Sequence, residues 1–216
     1  MTQSTVAPFG SWKSPITSER IVSESIKLGQ ISLDGDQIYW IENRPAEGGR
    51  NGVIRLNHDG SQEVLTPQPY NTRTRVHEYG GAPYIVVNGI IYFSNFSDQR
   101  LYQHKPTHAP KPLTPAGPWF YADGIFDQSR NRLIFIREDH QVSGHEPINT
   151  IVSISLAHSQ EQTQGIILVS GNDFYASPRL SPKGDQFAWL TWNHPNMPWD
   201  GTELWIADIQ LSLIHI

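Results

Sequence analysis

The sequence contains no cysteine. That absence excludes a disulfide framework, a thiol nucleophile and a zinc–thiolate centre. Positive charge is scarce as well: 16 Lys and Arg stand against 21 Asp and Glu, for a formal net charge of −5. Composition therefore offers no electrostatic basis for binding nucleic acid. No stretch approaches the roughly 18 consecutive apolar residues of a membrane-spanning helix, so no membrane is expected. Residues 1–10 carry neither a basic start nor an apolar run. No secretory signal is expected from them, and the expected compartment is cytoplasmic.

Several catalytic signatures are missing too. There is no Gly-x-Ser-x-Gly elbow and no phosphate-cradling glycine loop. His77-Glu78 continues as Tyr79-Gly80-Gly81 and so makes no His-Glu-x-x-His zinc motif. Asn57-His58-Asp59-Gly60 lacks the spaced carboxylates and distal Glu of a calcium loop. The nine histidines do not pair at metal-ligand spacing on one recognisable element. Neither a metal nor a cofactor is expected.

What is present is punctuation. The 17 Gly and 16 Pro are scattered, and short runs rich in Ile, Val, Trp, Tyr and Phe lie between them. That pattern predicts many short strands joined by turns. Asp34-Gly35, Asp59-Gly60, Asn88-Gly89, Asp123-Gly124 and Asp200-Gly201 read as turn dipeptides. Only residues 17–27 read as a helix, with Ile21, Val22 and Ile26 on one side.

A repeat runs through the chain. Residues 32–41 (Ser-Leu-Asp-Gly-Asp-Gln-Ile-Tyr-Trp-Ile) and 181–190 (Ser-Pro-Lys-Gly-Asp-Gln-Phe-Ala-Trp-Leu) match in their turn and in the strand that follows. Residues 88–93 and 131–136 are intermediate copies, which gives an aromatic column of Trp40, Tyr92, Phe135 and Trp189. Further strands recur at 53–56, 100–102, 150–154 and 203–208, and Leu-Thr-Pro closes two copies, at 65–67 and 113–115. A period of roughly 40–50 residues with several strands per copy is the signature of a β-propeller. The aromatic column is expected to pack blade against blade.

The expected fold is therefore all-β: a partial β-propeller of about three and a half four-stranded blades over residues 28–210. Residues 1–27 would form an N-terminal extension with a short helical segment. A partial ring leaves strand edges and blade faces open, so the chain is expected to be a piece of a larger protein. No turn chemistry separates Asp208-Ile209-Gln210 from Leu211-Ser212-Leu213-Ile214-His215-Ile216. Residues 211–216 match one frame of a common sequencing adapter and are expected to be a non-native tail.

Two segments stand apart from the blade pattern. Residues 73–81 place Arg73, Arg75, His77, Glu78 and Tyr79 directly before a strand. Glu78 could receive a free amino group by a charge-assisted hydrogen bond, or it could form an internal Arg–Glu pair that fixes a blade corner. Residues 193–201 form a long loop stiffened by Pro195 and Pro198 and carrying His194 and Trp199; it could line a ligand passage or contact another domain, or it could pack on its own blade.

Residues 72–81, 92–102 and above all 173–184 running through 194–205 resemble the N-terminal propeller of prolyl oligopeptidase family serine peptidases. The nearest branch is the bacterial dipeptidyl aminopeptidase and acylaminoacyl-peptidase-like group, and residues 10–17 resemble its start. The resemblance covers about residues 9–209. It implies a propeller that gates and positions short peptides for a C-terminal α/β-hydrolase domain bearing a Ser-Asp-His triad. No catalytic residue of that triad maps onto this sequence, so catalytic residues in this chain are expected to be none. The substrate-binding candidates are His77, Glu78, Tyr79, His194 and Trp199. The alternative is a stand-alone propeller acting as a protein-binding scaffold. A metal-centred propeller hydrolase ranks last, because Glu78 and Asp123 form no repeated acidic set.

Overall fold

The computed structural model describes residues 6–22, 25–142, 144–157, 162–209 and 214–215. Four antiparallel sheets of four strands each follow one another along the chain. Blade 1 comprises β1 (Lys27–Asp34), β2 (Gln37–Arg44), β3 (Arg50–Leu56) and β4 (Gln62–Val64). Blade 2 comprises β5 (Tyr84–Val87), β6 (Ile90–Ser94), β7 (Leu101–His104) and β8 (Lys111–Pro112). Blade 3 comprises β9 (Trp119–Asp127), β10 (Arg132–Asp139), β11 (Ile148–Ser155) and β12 (Ile166–Val169). Blade 4 comprises β13 (Phe174–Leu180), β14 (Gln186–Trp192), β15 (Glu203–Ile209) and the two-residue β16 (Ile214–His215). β16 pairs with β15 and comes from the segment expected to be a tail. The first strands of successive blades touch one another, as they do around a propeller axis.

The expected helix at 17–27 is shorter in the structure. α1 covers only Ser18–Val22, and Lys27 already belongs to β1. Five residues form little more than one turn, and the apolar Ile21 stays exposed, so no packing extends the helix.

Three buried clusters hold the blades together. Tyr39, Ile41 and Val53 of blade 1 pack against Ile91, Phe93 and Tyr102 of blade 2. Tyr92 and Leu101 of blade 2 meet Leu133, Phe135 and Val152 of blade 3. Ile134, Ile136 and Ile151 of blade 3 meet Phe187, Trp189 and Ala207 of blade 4.

The register corrects the aromatic column. Each second strand is entered through a hairpin whose closing pair is Asp34–Gln37, Val87–Ile90 or Asp127–Arg132, and in blade 4 Leu180 faces Phe187. Counting from those pairs, the residue equivalent to Trp40, Phe135 and Trp189 is Phe93, not Tyr92. Tyr92 and Phe93 are adjacent on β6 and point to opposite faces, so a one-residue slip in alignment exchanges them. Phe93, Phe135 and Trp189 all point toward the preceding blade and are fully buried. Trp40 points the same way, meets no blade there among the described residues and is only partly buried. Around it Leu28, Ile31, Leu33 and Ile38 are exposed. On the far side of blade 4, Leu204 and Ile206 are exposed as well. Both end blades thus present bare apolar faces.

The Leu-Thr-Pro repeats have a definite role. The Thr66 hydroxyl accepts the Val53 N–H at 2.9 Å, and the Thr114 hydroxyl accepts the Leu101 N–H at 3.1 Å. In each case the preceding Leu is buried and donates its own N–H back to the same strand residue, at 2.8 Å. The motif therefore closes the outer edge of a blade with one side-chain and one backbone hydrogen bond.

Asp123-Gly124 is not a turn. It forms a bulge inside β9, where the register shifts between Ile134 and Ile136 and Asp123 adopts φ +54°. The Asp123 carboxylate accepts the N–H of Ala82 at 2.7 Å and of Ser177 at 3.1 Å, tying blades 2, 3 and 4 together. The dipeptide supplies left-handed backbone for a bulge as readily as for a hairpin, and only the strand pairing tells them apart.

Candidate functional site

One cleft of about 940 Å³ opens where three blades meet on one rim. The segment before β5 brings His77, Glu78 and Tyr79 to it. Phe120 and Phe174 enter from the starts of β9 and β13, Glu138 and Trp192 from the ends of β10 and β14. The loop after β14 adds His194 and Met197. Four of the five expected site residues thus share one cleft. Trp199 does not join them: it is 77% exposed and lies outside the lining. Its loop turns at Met197–Asp200, with the Asp200 N–H bonded to the Met197 carbonyl at 2.9 Å, which carries the indole away from the cleft.

The His77-Glu78 turn has unusual backbone. Both residues are left-handed, at φ +57° and +62°, a conformation that costs a residue with a side chain about 1–2 kcal/mol. The turn is held by the Glu78 N–H to the Arg75 carbonyl at 2.8 Å and the Gly80 N–H to the Val76 carbonyl at 2.9 Å. Glu78 itself is exposed, and its carboxylate makes no hydrogen bond or ion pair among the described residues. The internal Arg–Glu pair is not formed. Arg73 and Arg75 instead lie over the Phe96 ring, 4.7 and 4.5 Å from its centre.

Beneath Glu78 the floor is polar and buried. Glu138 accepts the His77 backbone N–H at 2.7 Å through Oε1, and the His140 ring at 3.1 Å through Oε2. Burial pushes the Glu138 carboxyl upward, but hydrogen bonds from the His77 side chain and backbone and from His140 outweigh it and hold the group below its ordinary value. The His77 Nε2 lies 3.0 Å from the Tyr175 carbonyl, so that nitrogen carries the proton and donates. His77 thus touches blades 3 and 4 at once.

The walls are aromatic. Phe174 and Trp192 stack with centroids 5.3 Å apart and an 11° interplanar angle. His77 meets both rings, and Phe120 packs on His140 with centroids 4.2 Å apart. At the mouth, the His194 Nδ1 lies 3.1 Å from Asp173. The Asp173 carboxyl is held below its ordinary value, chiefly by the His194 backbone N–H. Among the described residues, no cluster of His, Asp and Glu has the arrangement of a metal site. The cleft therefore combines acidic groups at its mouth with π faces on its walls, a setting that suits a cationic group attached to an apolar or aromatic body.

Phe120, Glu138, His140, Phe174 and Trp192 were not singled out by the sequence reading. A signal for them exists. Phe120 and Phe174, Glu138 and Trp192, and His140 and His194 are each 54 residues apart. That is the offset between Phe135 and Trp189, so the three pairs are equivalent rim positions of blades 3 and 4. In both blades the Phe packs on the His.

Sequential four-stranded sheets around a common axis, with a cleft on one rim, define a β-propeller segment. Comparison with family models gives no match, and neither does comparison with curated proteins. Solved structures do match. A puromycin-hydrolysing peptidase of Mycobacterium tuberculosis superposes with a TM-score of 0.89 at 36% identity, over 99% of this chain and 35% of that chain. A puromycin hydrolase gives 0.88 at 33% identity, over 96% and 34%. The acylaminoacyl peptidase of Pyrococcus horikoshii shares the fold, with a TM-score of 0.59 at 11% identity over 87% of this chain. As a propeller segment the chain is similar to the puromycin-hydrolysing peptidases, which are of the prolyl oligopeptidase family. It spans about a third of the length of those puromycin-hydrolysing peptidases.

Proposed function

We propose that this propeller segment gates and positions short peptides for the α/β-hydrolase domain of a longer serine peptidase. In that reading the hydrolase domain lies C-terminal to the propeller and supplies the nucleophilic Ser, the His base and the orienting Asp. This chain supplies no nucleophile; its part is recognition. The carrying observation is Glu78: a carboxylate with no ion pair among the described residues, at the mouth of an aromatic cleft built by three blades. Its charge is available to a free amino group, while Phe120, Phe174 and Trp192 offer surface to the first side chains of the peptide. The similarity to puromycin-hydrolysing peptidases at 33–36% identity supports the peptidase reading. Action from the amino end, in the manner of a dipeptidyl or acylaminoacyl peptidase, and a cytoplasmic location belong to the same proposal.

The test is kinetic. In the longer reading frame, Glu78→Gln should raise KM for phenylalanyl-p-nitroanilide about 5- to 30-fold, the loss of one partly exposed charge-assisted hydrogen bond. N-acetyl-phenylalanyl-p-nitroanilide, with no amino charge, should not respond. No amidase activity in that frame, or equal loss on both substrates, overturns the reading.

A further inference from the structure

The left-handed His77-Glu78 turn explains how Glu78 reaches the cleft, but not what keeps the turn in that shape. Its three internal backbone hydrogen bonds, from the Glu78, Tyr79 and Gly80 N–H groups, leave the His77 N–H without a partner in the turn. That N–H goes to Glu138, a side chain from another blade and 61 residues away. Glu138 is 2% exposed, and both of its oxygens are engaged, one by His77 and one by His140. It is therefore not available to a ligand. From the other side the His77 ring is fixed by the Tyr175 carbonyl of blade 4.

We infer that Glu138 is a positioning residue: by accepting the His77 backbone N–H it locks the turn that aims Glu78 into the cleft. The inference rests on the reading of Glu78 given above. The contact that fixes the turn is to a neutral backbone N–H, so the acceptor matters more there than the charge; the same oxygen also lies 3.4 Å from the His77 Nδ1, and that ring has a second anchor on the Tyr175 carbonyl. Removing the acceptor would leave a buried N–H unsatisfied at a turn already in an unfavourable region of φ. The turn would then relax and withdraw Glu78.

The experiment compares Glu138→Ala with Glu138→Gln in the longer reading frame. The carboxamide keeps an oxygen for the His77 N–H; alanine does not. On phenylalanyl-p-nitroanilide, Glu138→Ala should raise KM about tenfold with kcat within about twofold, and Glu138→Gln should stay within about threefold of the parent. In a Glu78→Gln background, Glu138→Ala should add almost nothing, because both act through one contact. Amide hydrogen exchange gives a readout that needs no substrate: protection of the turn at 77–80 should fall in the alanine variant and persist in the glutamine variant. If Glu138→Ala does not fold, Glu138→Asp, too short by one methylene to reach the N–H, replaces it with the same expectations. Independent effects of Glu78→Gln and Glu138→Ala, a glutamine variant as impaired as alanine, or unchanged exchange at 77–80 overturns the inference. A Glu78→Gln variant with unchanged KM instead overturns the Glu78 reading, and the exchange data still decide whether Glu138 holds the turn.

Discussion

Phe93 and Trp40 occupy the same register position in adjacent blades, yet one is fully buried and the other is not. Their truncation should therefore have very different costs. Phe93 stacks on Tyr102 with centroids 5.7 Å apart and meets Tyr70 edge-on at 5.8 Å, inside the cluster joining blades 1 and 2. Phe93→Ala removes a buried ring and leaves a cavity, for about 3–5 kcal/mol. Trp40 has cross-strand neighbours Ile31 and Ile54 and one indole hydrogen bond to Glu42 at 3.2 Å. Those contacts together amount to about 1 kcal/mol. Urea titration followed by far-ultraviolet circular dichroism measures both substitutions on the same chain. The midpoint should fall steeply for Phe93→Ala and slightly for Trp40→Ala. In the longer reading frame the cost of Trp40→Ala should rise toward that of Phe93→Ala, because a further blade would cover the face. Equal costs for the two variants in the present chain would refute the register argument.

Other expectations follow from individual contacts. Thr66→Val and Thr114→Val keep the shape but orphan the N–H of Val53 or Leu101; each should cost about 1–3 kcal/mol in the same titration. A Cβ at Gly124 would run into the Phe135 ring in the middle of blade 3, so Gly124→Ala should destabilise by about 1–3 kcal/mol, and Phe135→Leu should recover part of it. Glu47 is hydrogen-bonded by Arg44 at 2.9 Å and Arg50 at 2.6 Å, which lower its carboxyl from 4.5 to about 2. A depressed carboxyl contributes stability that is complete above pH 4.5 and lost as pH falls toward 2. The difference in urea midpoint between the parent and Glu47→Gln should therefore be constant from neutral pH down to about 4.5 and shrink below it; a difference that persists at pH 2 would refute the pairing.

Local chemistry made much of the fold legible. Asp34-Gly35 and Asn88-Gly89 mark true hairpins, and Leu-Thr-Pro marks blade edges because the Thr hydroxyl substitutes for a strand partner. What sequence could not separate were alternatives with the same local chemistry. Asp123-Gly124 carries the residues of a turn, but pairing with β10 makes it a bulge. Tyr92 and Phe93 are both aromatic, and only the strand register tells which one faces the neighbour. Of the cleft lining, the sequence singled out the contiguous His77, Glu78 and Tyr79, together with His194. Its floor and walls come from residues 43 to 115 positions further on, brought together by blade stacking. The 54-residue recurrence of the Phe–His pair was the one trace of them in the sequence. Trp199 lies outside the cleft lining, and an amphipathic side chain in a long loop says nothing about the direction in which the loop turns.

The anchoring of His77 to blades 3 and 4 makes the cleft and the ring a single thermodynamic object. A ligand that occupies the cleft can do so only while the three blades are docked. By linkage, its binding free energy then adds to the work of peeling blade 4 away. The converse holds equally: a substitution far from the cleft that loosens the contact between blades 3 and 4 lowers ligand affinity by the population of detached states it creates. Recognition on the rim and cohesion of the propeller are thus two readings of one equilibrium.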